Sequence, residues 1–261
     1  MNLIEICRTY SFHNNEGIDI QAGTLNLQVR RMSMGWGFRS EETTGAFEEI
    51  KVVNSNSAMQ VSESALYQTG KSDDLVILPA LPTKPLVLKN SGLRILPDQS
   101  MRFFVKIPLW MQFYYSGTFP GQFMTEYPLF RLSDTWFGEP DEGEPALALG
   151  NFYQKDASLL DLKPWEAICP VHINNHSGLL LEVQRFIIRV ENLSLIDTGN
   201  QLMTSLTEIE YKGRGQISSA NYHLSKNVHG VDYNQIAPPR NAGSRSSLKI
   251  NFHFIKNIYQ I

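Results

Sequence analysis

Between Met101 and Ile107 the polar Arg102 and Lys106 alternate with Phe103, Val105 and Ile107, the two-residue period of a half-buried strand. Phe104 breaks the polar face. After Pro108, the run Leu109–Tyr115 is β-prone and too short for an independent helix, which predicts a second strand bent at the proline. Tyr127–Phe137 and Glu144–Tyr153 read as a hairpin across Gly138-Glu-Pro-Asp-Glu-Gly143, where Pro, Asp and Gly are turn formers for separate steric reasons. Ala167–Asn174 and Leu179–Val190 read as another, with Asn174–Gly178 as its five-residue loop. The adjacent Ile187 and Ile188 spoil strict alternation, as a β-bulge or a covered second face would.

Elsewhere the pattern is weaker. Leu3–Arg8, Ile18–Ile20 and Leu25–Arg31 read as short strands, and Met34-Gly-Trp-Gly-Phe38 as a bend with an aromatic packed underneath. Ala46–Val53 is read as strand. Leu75–Leu78 ends at Pro79, and the three prolines of Pro79–Pro85 predict an extended connector and a candidate domain boundary. Leu86–Leu88 resumes a strand with which Leu93–Leu96 is expected to pair. Gln154–Leu162 is the helix candidate, with Asp156 near its start and Pro164 beyond its end. Thr204–Lys212 and Gln216–Leu224 form a hairpin across Gly213-Arg-Gly215, Asn227–Ser247 reads as a long loop, and Leu248–Ile255 closes with clean alternation. No internal repeat of solenoid or propeller length is present. The expected fold is all-β, an antiparallel β-sandwich with few short helices, either one domain or two sandwich-like subdomains divided as 1–80 and 81–261.

Composition narrows the function classes. At 261 residues the chain buries about three quarters of its unfolded surface. A net charge of −3 and a pI near 6.1 give no electrostatic footprint for nucleic acid. Cys7 and Cys169 are the two cysteines, too few for a disulfide framework, so a reducing compartment is the natural home. No secretory signal and no apolar run of spanning length is visible, and the expectation is a cytoplasmic protein with no membrane span.

Candidate chemistry is sparse. Cys169, His172 and His176 are acceptable zinc ligand types, but strand geometry sends Cys169 and His172 to opposite faces, so a buried cysteine and two surface histidines are expected. Glu139, Asp141, Glu142 and Glu144 place four carboxylates in six residues without EF-hand spacing, and a solvated hairpin tip is the expectation. The familiar hydrolase, zincin and nucleotide motifs are absent. Arg240, Arg245 and Lys249, with Lys226 upstream, make the C-terminal loop locally basic.

The order of landmarks in the centre of the chain resembles the family known as domain of unknown function 432. The landmarks are Lys106-Ile-Pro108, then Leu132–Pro140 with Gly143-Glu144, then Val171-His-Ile-Asn174 leading into Val183–Ile188, and together they span roughly Leu75–Lys212. The resemblance implies no catalytic residues, because the family has no assigned activity. It also implies a setting of membrane stress, since some members are encoded beside small mechanosensitive channels.

The first reading is therefore a non-enzymatic binding or accessory module, linked through the resemblance to membrane stress or channel function. It would meet an unknown protein or small-molecule partner through Trp136, Gly138, Glu139, Asp141 and Gly143, with no cofactor and no metal. Open strand edges make a homo-oligomer part of this expectation. The alternative is a metal-dependent enzyme using His172, His176 and a carboxylate of the acidic loop. Carbohydrate binding on a face with Trp110, Tyr114 and Tyr115 ranks third.

Overall fold

The structure is a computed structural model that describes residues 3–59, 64–115, 120–150, 153–213, 218–224, 230, 232–241 and 248–250. A helical turn, α1 (Leu3–Ile6), precedes β1 (Thr9–Ser11), β2 (Gly17–Met32), β3 (Gly35–Ser55), β4 (Ala65–Gln68) and β5 (Asp74–Ala80). The middle of the chain forms β6 (Leu86–Ile95), β7 (Ser100–Pro108), β8 (Trp110–Tyr115), β9 (Gln122–Pro128), β10 (Asp134–Phe137) and β11 (Glu144–Gly150). After it come β12 (Glu166–Asn175), β13 (Leu181–Ile188), β14 (Leu195–Asp197), β15 (Leu202–Thr204) and β16 (Leu206–Tyr211). The last strands are β17 (Ser218–His223), β18 (Asn234–Ala237) and β19 (Leu248–Ile250). The fold is all-β, as the alternation predicts. Among the described residues no helix is long and apolar enough to cross a membrane.

The strands gather into two compact units, one of residues 1–80, 108–131 and 162–166, the other of 81–107, 132–161 and 167–261. The first unit holds two antiparallel sheets, ordered β1-β5-β8-β9 and β2-β3-β4. Phe38 of β3 joins them, its ring 5.2 Å from Phe113 of β8, 6.2 Å from Tyr127 of β9 and 5.4 Å from Tyr67 of β4. The β2–β3 hairpin is long enough to curl back on itself: Arg31 N donates to Glu16 O at 2.8 Å, and Asn15 N to Arg31 O at 2.7 Å.

Two consecutive arginines hold that curl from opposite faces. Arg30, 1% exposed, donates to the carbonyls of Ile18, Val29 and Ser57, to the Ser55 and Ser57 hydroxyls, and to Asp19 at 2.6 Å. Arg31 donates to Asp73 at 3.0 Å and to the carbonyls of Gly35 and Gly70. A buried guanidinium is tolerated only when its donors find acceptors, and here they do. The stretch expected as a bend, Met34–Phe38, is instead a turn at Ser33–Met34 followed by the start of β3, where Trp36 pairs with Arg31 of β2 and Tyr67 of β4 and is fully buried.

The second unit has a sheet ordered β10-β11-β6-β13 and, among the described residues, an eight-stranded sheet ordered β18-β14-β15-β12-β16-β17-β19, with β7 also paired to β12. Phe103 of β7 packs on Phe186 of β13 with ring centroids 5.6 Å apart, so the two sheets share a core. Most ladders are antiparallel. Among the ladders of the described residues, β11 with β6, β12 with β15, and β12 with β16 are parallel.

Several local expectations change. β12 and β13 are not a hairpin, since β12 pairs with β16 in the larger sheet while β13 pairs with β6 in the other. The loop between them is an arch. The buried Asn175 amide builds it, donating to the carbonyls of Ile95, Leu96 and Leu179, while its oxygen accepts from Ser177 N and Oγ. Leu86–Leu88 and Leu93–Leu96 do not pair with one another: Leu86–Ile95 is the single strand β6, and both of its ends pair with β13. The stretch expected as one strand from Tyr127 to Phe137 is split into β9 and β10.

The helix expected over Gln154–Leu162 shrinks to one 3-10 turn, Ala157–Leu159, capped by Asp156. Gln154 bonds Phe104 instead. Leu3–Ile6 is helical rather than extended. Part of the expected C-terminal loop is strand β18 on β14, and Arg240 and Asn241 tie the chain to Leu81 O and Glu191 O. Lys226 and Arg245 of the basic stretch lie outside the described residues.

Candidate functional site

The hairpin of β10 and β11 forms across the expected loop, with Trp136 opposite Pro145 and Phe137 opposite Glu144. Its loop is closed by two glycines at which a larger residue meets backbone or the indole. Gly138 has φ +108, and a Cβ there would lie 2.7 Å from Gly143 Cα. A Cβ on Gly143 would lie 2.1 Å from Trp136 Nε1 and 2.7 Å from Glu139 O. The space is so small because Glu139 O accepts two bonds, from Gly143 N at 2.8 Å and from Trp136 Nε1 at 3.0 Å.

The loop therefore fixes an indole at the surface. Trp136 is 43% exposed with its N–H already satisfied, which leaves the ring as its free recognition surface. Glu139, Asp141 and Glu142 stand exposed around it. Glu144, the fourth carboxylate of the cluster, is diverted to a two-pronged pair with Arg189.

The back of the hairpin is anchored by residues that sequence pattern did not single out. Phe137 packs on Val87, Ala146 and Ile187. Arg185 of β13 donates to Trp136 O at 2.6 Å, and its guanidinium lies 5.8 Å from the Phe137 ring centre. Lys84 pairs with Asp134 at 2.7 Å. Arg189 also approaches Glu191 at 3.5 Å. Burial holds the Glu191 carboxyl above its ordinary range, and its Oε2 is buried without a hydrogen-bond partner. Nothing local in the sequence marks these contacts, because they depend on which strand lies beside which.

The histidines take other partners. His172 and Glu208 are register partners on β12 and β16, with Nδ1 3.3 Å from Oε1, and His223 of β17 reaches the other oxygen of Glu208 at 2.9 Å. His176 meets Glu210, which also accepts from Asn174 at 2.7 Å. The carboxylates beside these histidines thus come from β16 and not from the acidic loop. Among the described residues no group of three or more His, Cys, Asp or Glu is arranged to hold a metal ion. Cys169 is fully buried, with burial pushing its thiol up to about 11. On β8, alternation puts Trp110 and Tyr114 on one face and Tyr115 on the other, so the three aromatics do not share one platform.

The sequence model of the family described as "Protein of unknown function (DUF432)" matches residues 8–256 of the 261. The chain belongs to this family. The DUF432 match takes in both units and the β10–β11 hairpin, and so extends well beyond the central landmarks on either side. Neither the curated proteins nor the solved structures contain a match to the chain.

Proposed function

We propose that this DUF432 protein is a non-enzymatic binding or accessory module that captures its partner on the β10–β11 hairpin, through Trp136, Gly138, Glu139, Asp141 and Gly143. The carrying observation is the exposed Trp136 ring, held in one place by its bond to Glu139 O. An aromatic side chain that a partner desolvates is the commonest kind of binding anchor. Because the loop is already ordered by two bonds to one carbonyl, little ordering entropy is left to oppose association. The exposed Glu139, Asp141 and Glu142 favour a partner that brings hydrogen-bond donors or cationic groups to the rim of the indole.

The test is affinity capture by the tagged full-length chain from soluble and membrane fractions of its native host, followed by a salt wash and mass spectrometry. A cytoplasmic accessory of a channel retains a membrane protein, and a module with a soluble partner retains that partner. A protein that emerges alone from both fractions contradicts the proposal. The metal-dependent alternative is tested by metal analysis of the same preparation, where a stoichiometric ion would support it.

A further inference from the structure

Three of the exposed leucines among the described residues sit together, at one end of the sheet that carries β6 and β13. Leu179, Leu96 and Leu180 are 76%, 63% and 46% exposed. Leu181 of β13 pairs with Ile95 of β6, so Leu180 and Leu96 are the next residues outward on the two strands. Both point away from the core, because the neighbouring Leu181 and Ile95 are 3% and 2% exposed and side chains alternate. Leu179 continues the same surface around the arch between β12 and β13.

This display is built rather than frayed. Asn175, 1% exposed, donates one amide to the carbonyls of Ile95, Leu96 and Leu179 at 3.0, 3.1 and 2.9 Å. Its oxygen accepts from Ser177 N and Oγ, and the Ser177 hydroxyl also reaches Leu179 O at 3.1 Å. A buried polar network thus fixes the backbone of both strands where the leucines emerge.

We infer that this tip is an interfacial anchor that inserts into the apolar edge of a lipid bilayer. Area decides between occupants. The three side chains offer on the order of 250 Å² of apolar surface, whereas a stable protein interface needs about 800 Å² from each partner. A protein can cover a projecting loop only with a matching hollow and a broad rim, while a bilayer closes around it from every side. The flanking charges are mixed: Arg94 pairs with Glu182 on the adjacent row, Asp98 and Lys212 are exposed, and His176 pairs with Glu210. Attachment is therefore apolar, weak and reversible, and does not depend on anionic lipid. This surface is separate from the Trp136 loop, so neither proposal stands on the other.

The test is sedimentation of the full-length protein with vesicles of phosphatidylcholine alone and of phosphatidylcholine with phosphatidylserine. The expected result is equal binding to both, unchanged by added salt. Leu179→Ser lowers the partition coefficient by roughly tenfold, and Leu179→Trp retains it. Leu159→Ser, at a lone leucine 63% exposed elsewhere, leaves it unchanged. No binding to phosphatidylcholine vesicles overturns the inference, as does binding that requires phosphatidylserine or falls equally with Leu159→Ser. A dimer that Leu179→Ser dissociates overturns it too, by assigning the tip to a second copy.

Discussion

Replacing Gly143 with Ala tests whether the candidate site is built as described. The added methyl would stand 2.1 Å from Trp136 Nε1 and 2.7 Å from the carbonyl oxygens of Glu139 and Phe137. An indole is stiff and two of the three neighbours are backbone, so the loop must open to admit it. Opening forfeits the bonds from Gly143 N and Trp136 Nε1 to Glu139 O, worth about 1 kcal/mol each. Residual overpacking costs about 1–3 kcal/mol more. Part of that strain relaxes into the solvent, which leaves a net loss of about 3 kcal/mol, a large share of a typical domain stability of about 5–15 kcal/mol. Urea titration reads the loss, and the indole N–H resonance of Trp136 reads the opening. A loss below about 0.5 kcal/mol with that resonance unmoved would refute the account of the loop.

Two further substitution and reactivity tests address the frame that carries the site. Arg30→Met removes a fully buried guanidinium and strands the carbonyls of Ile18, Val29 and Ser57, so chemical denaturation should show a loss of about 3–5 kcal/mol. A loss below about 1 kcal/mol would count against the clasp. Cys169, fully buried with its thiol pushed up to about 11, should stay silent to a thiol reagent at pH 8 and react only on unfolding. Rapid labelling of Cys169 in the native protein would show that its site is open.

Much of the strand content was legible because period-two alternation reports directly on which face is buried. Ser100–Pro108 and Trp110–Tyr115 are separate strands divided after the proline, and Gly138 with Gly143 marked a hairpin that forms across that loop. Pairing over distance was not legible. Asn174–Gly178 has the composition of a hairpin loop, yet it links two sheets, since the turn residues of an arch and of a hairpin are the same and only the partner strands differ. The parallel pairing of β12 with β16 is likewise a tertiary choice. β18 hides in a polar stretch because a short strand added at β14 needs backbone partners more than apolar side chains.

The same division runs through the site. Trp136, the glycines and the carboxylates were legible as a cluster because they are neighbours in the chain. The anchors Arg185 and Arg189 were not, since β13 reaches the hairpin only by way of the intervening strands of its sheet. Nor were the pairings of His172 and His223 with Glu208, which follow from the β12-β16-β17 order.

The most direct measurement compares wild type and Trp136→Ala side by side in the capture experiment, with circular dichroism and urea titration on both proteins. Trp136 is 43% exposed at a hairpin tip, so its loss forfeits the bond to Glu139 O, about 1 kcal/mol, and leaves the fold in place. The account predicts that a specific partner recovered by wild type is absent from the variant, while the variant stays folded and loses about 1–2 kcal/mol of stability. Equal recovery of that partner by a folded Trp136→Ala protein would contradict the claim that the hairpin is the binding site.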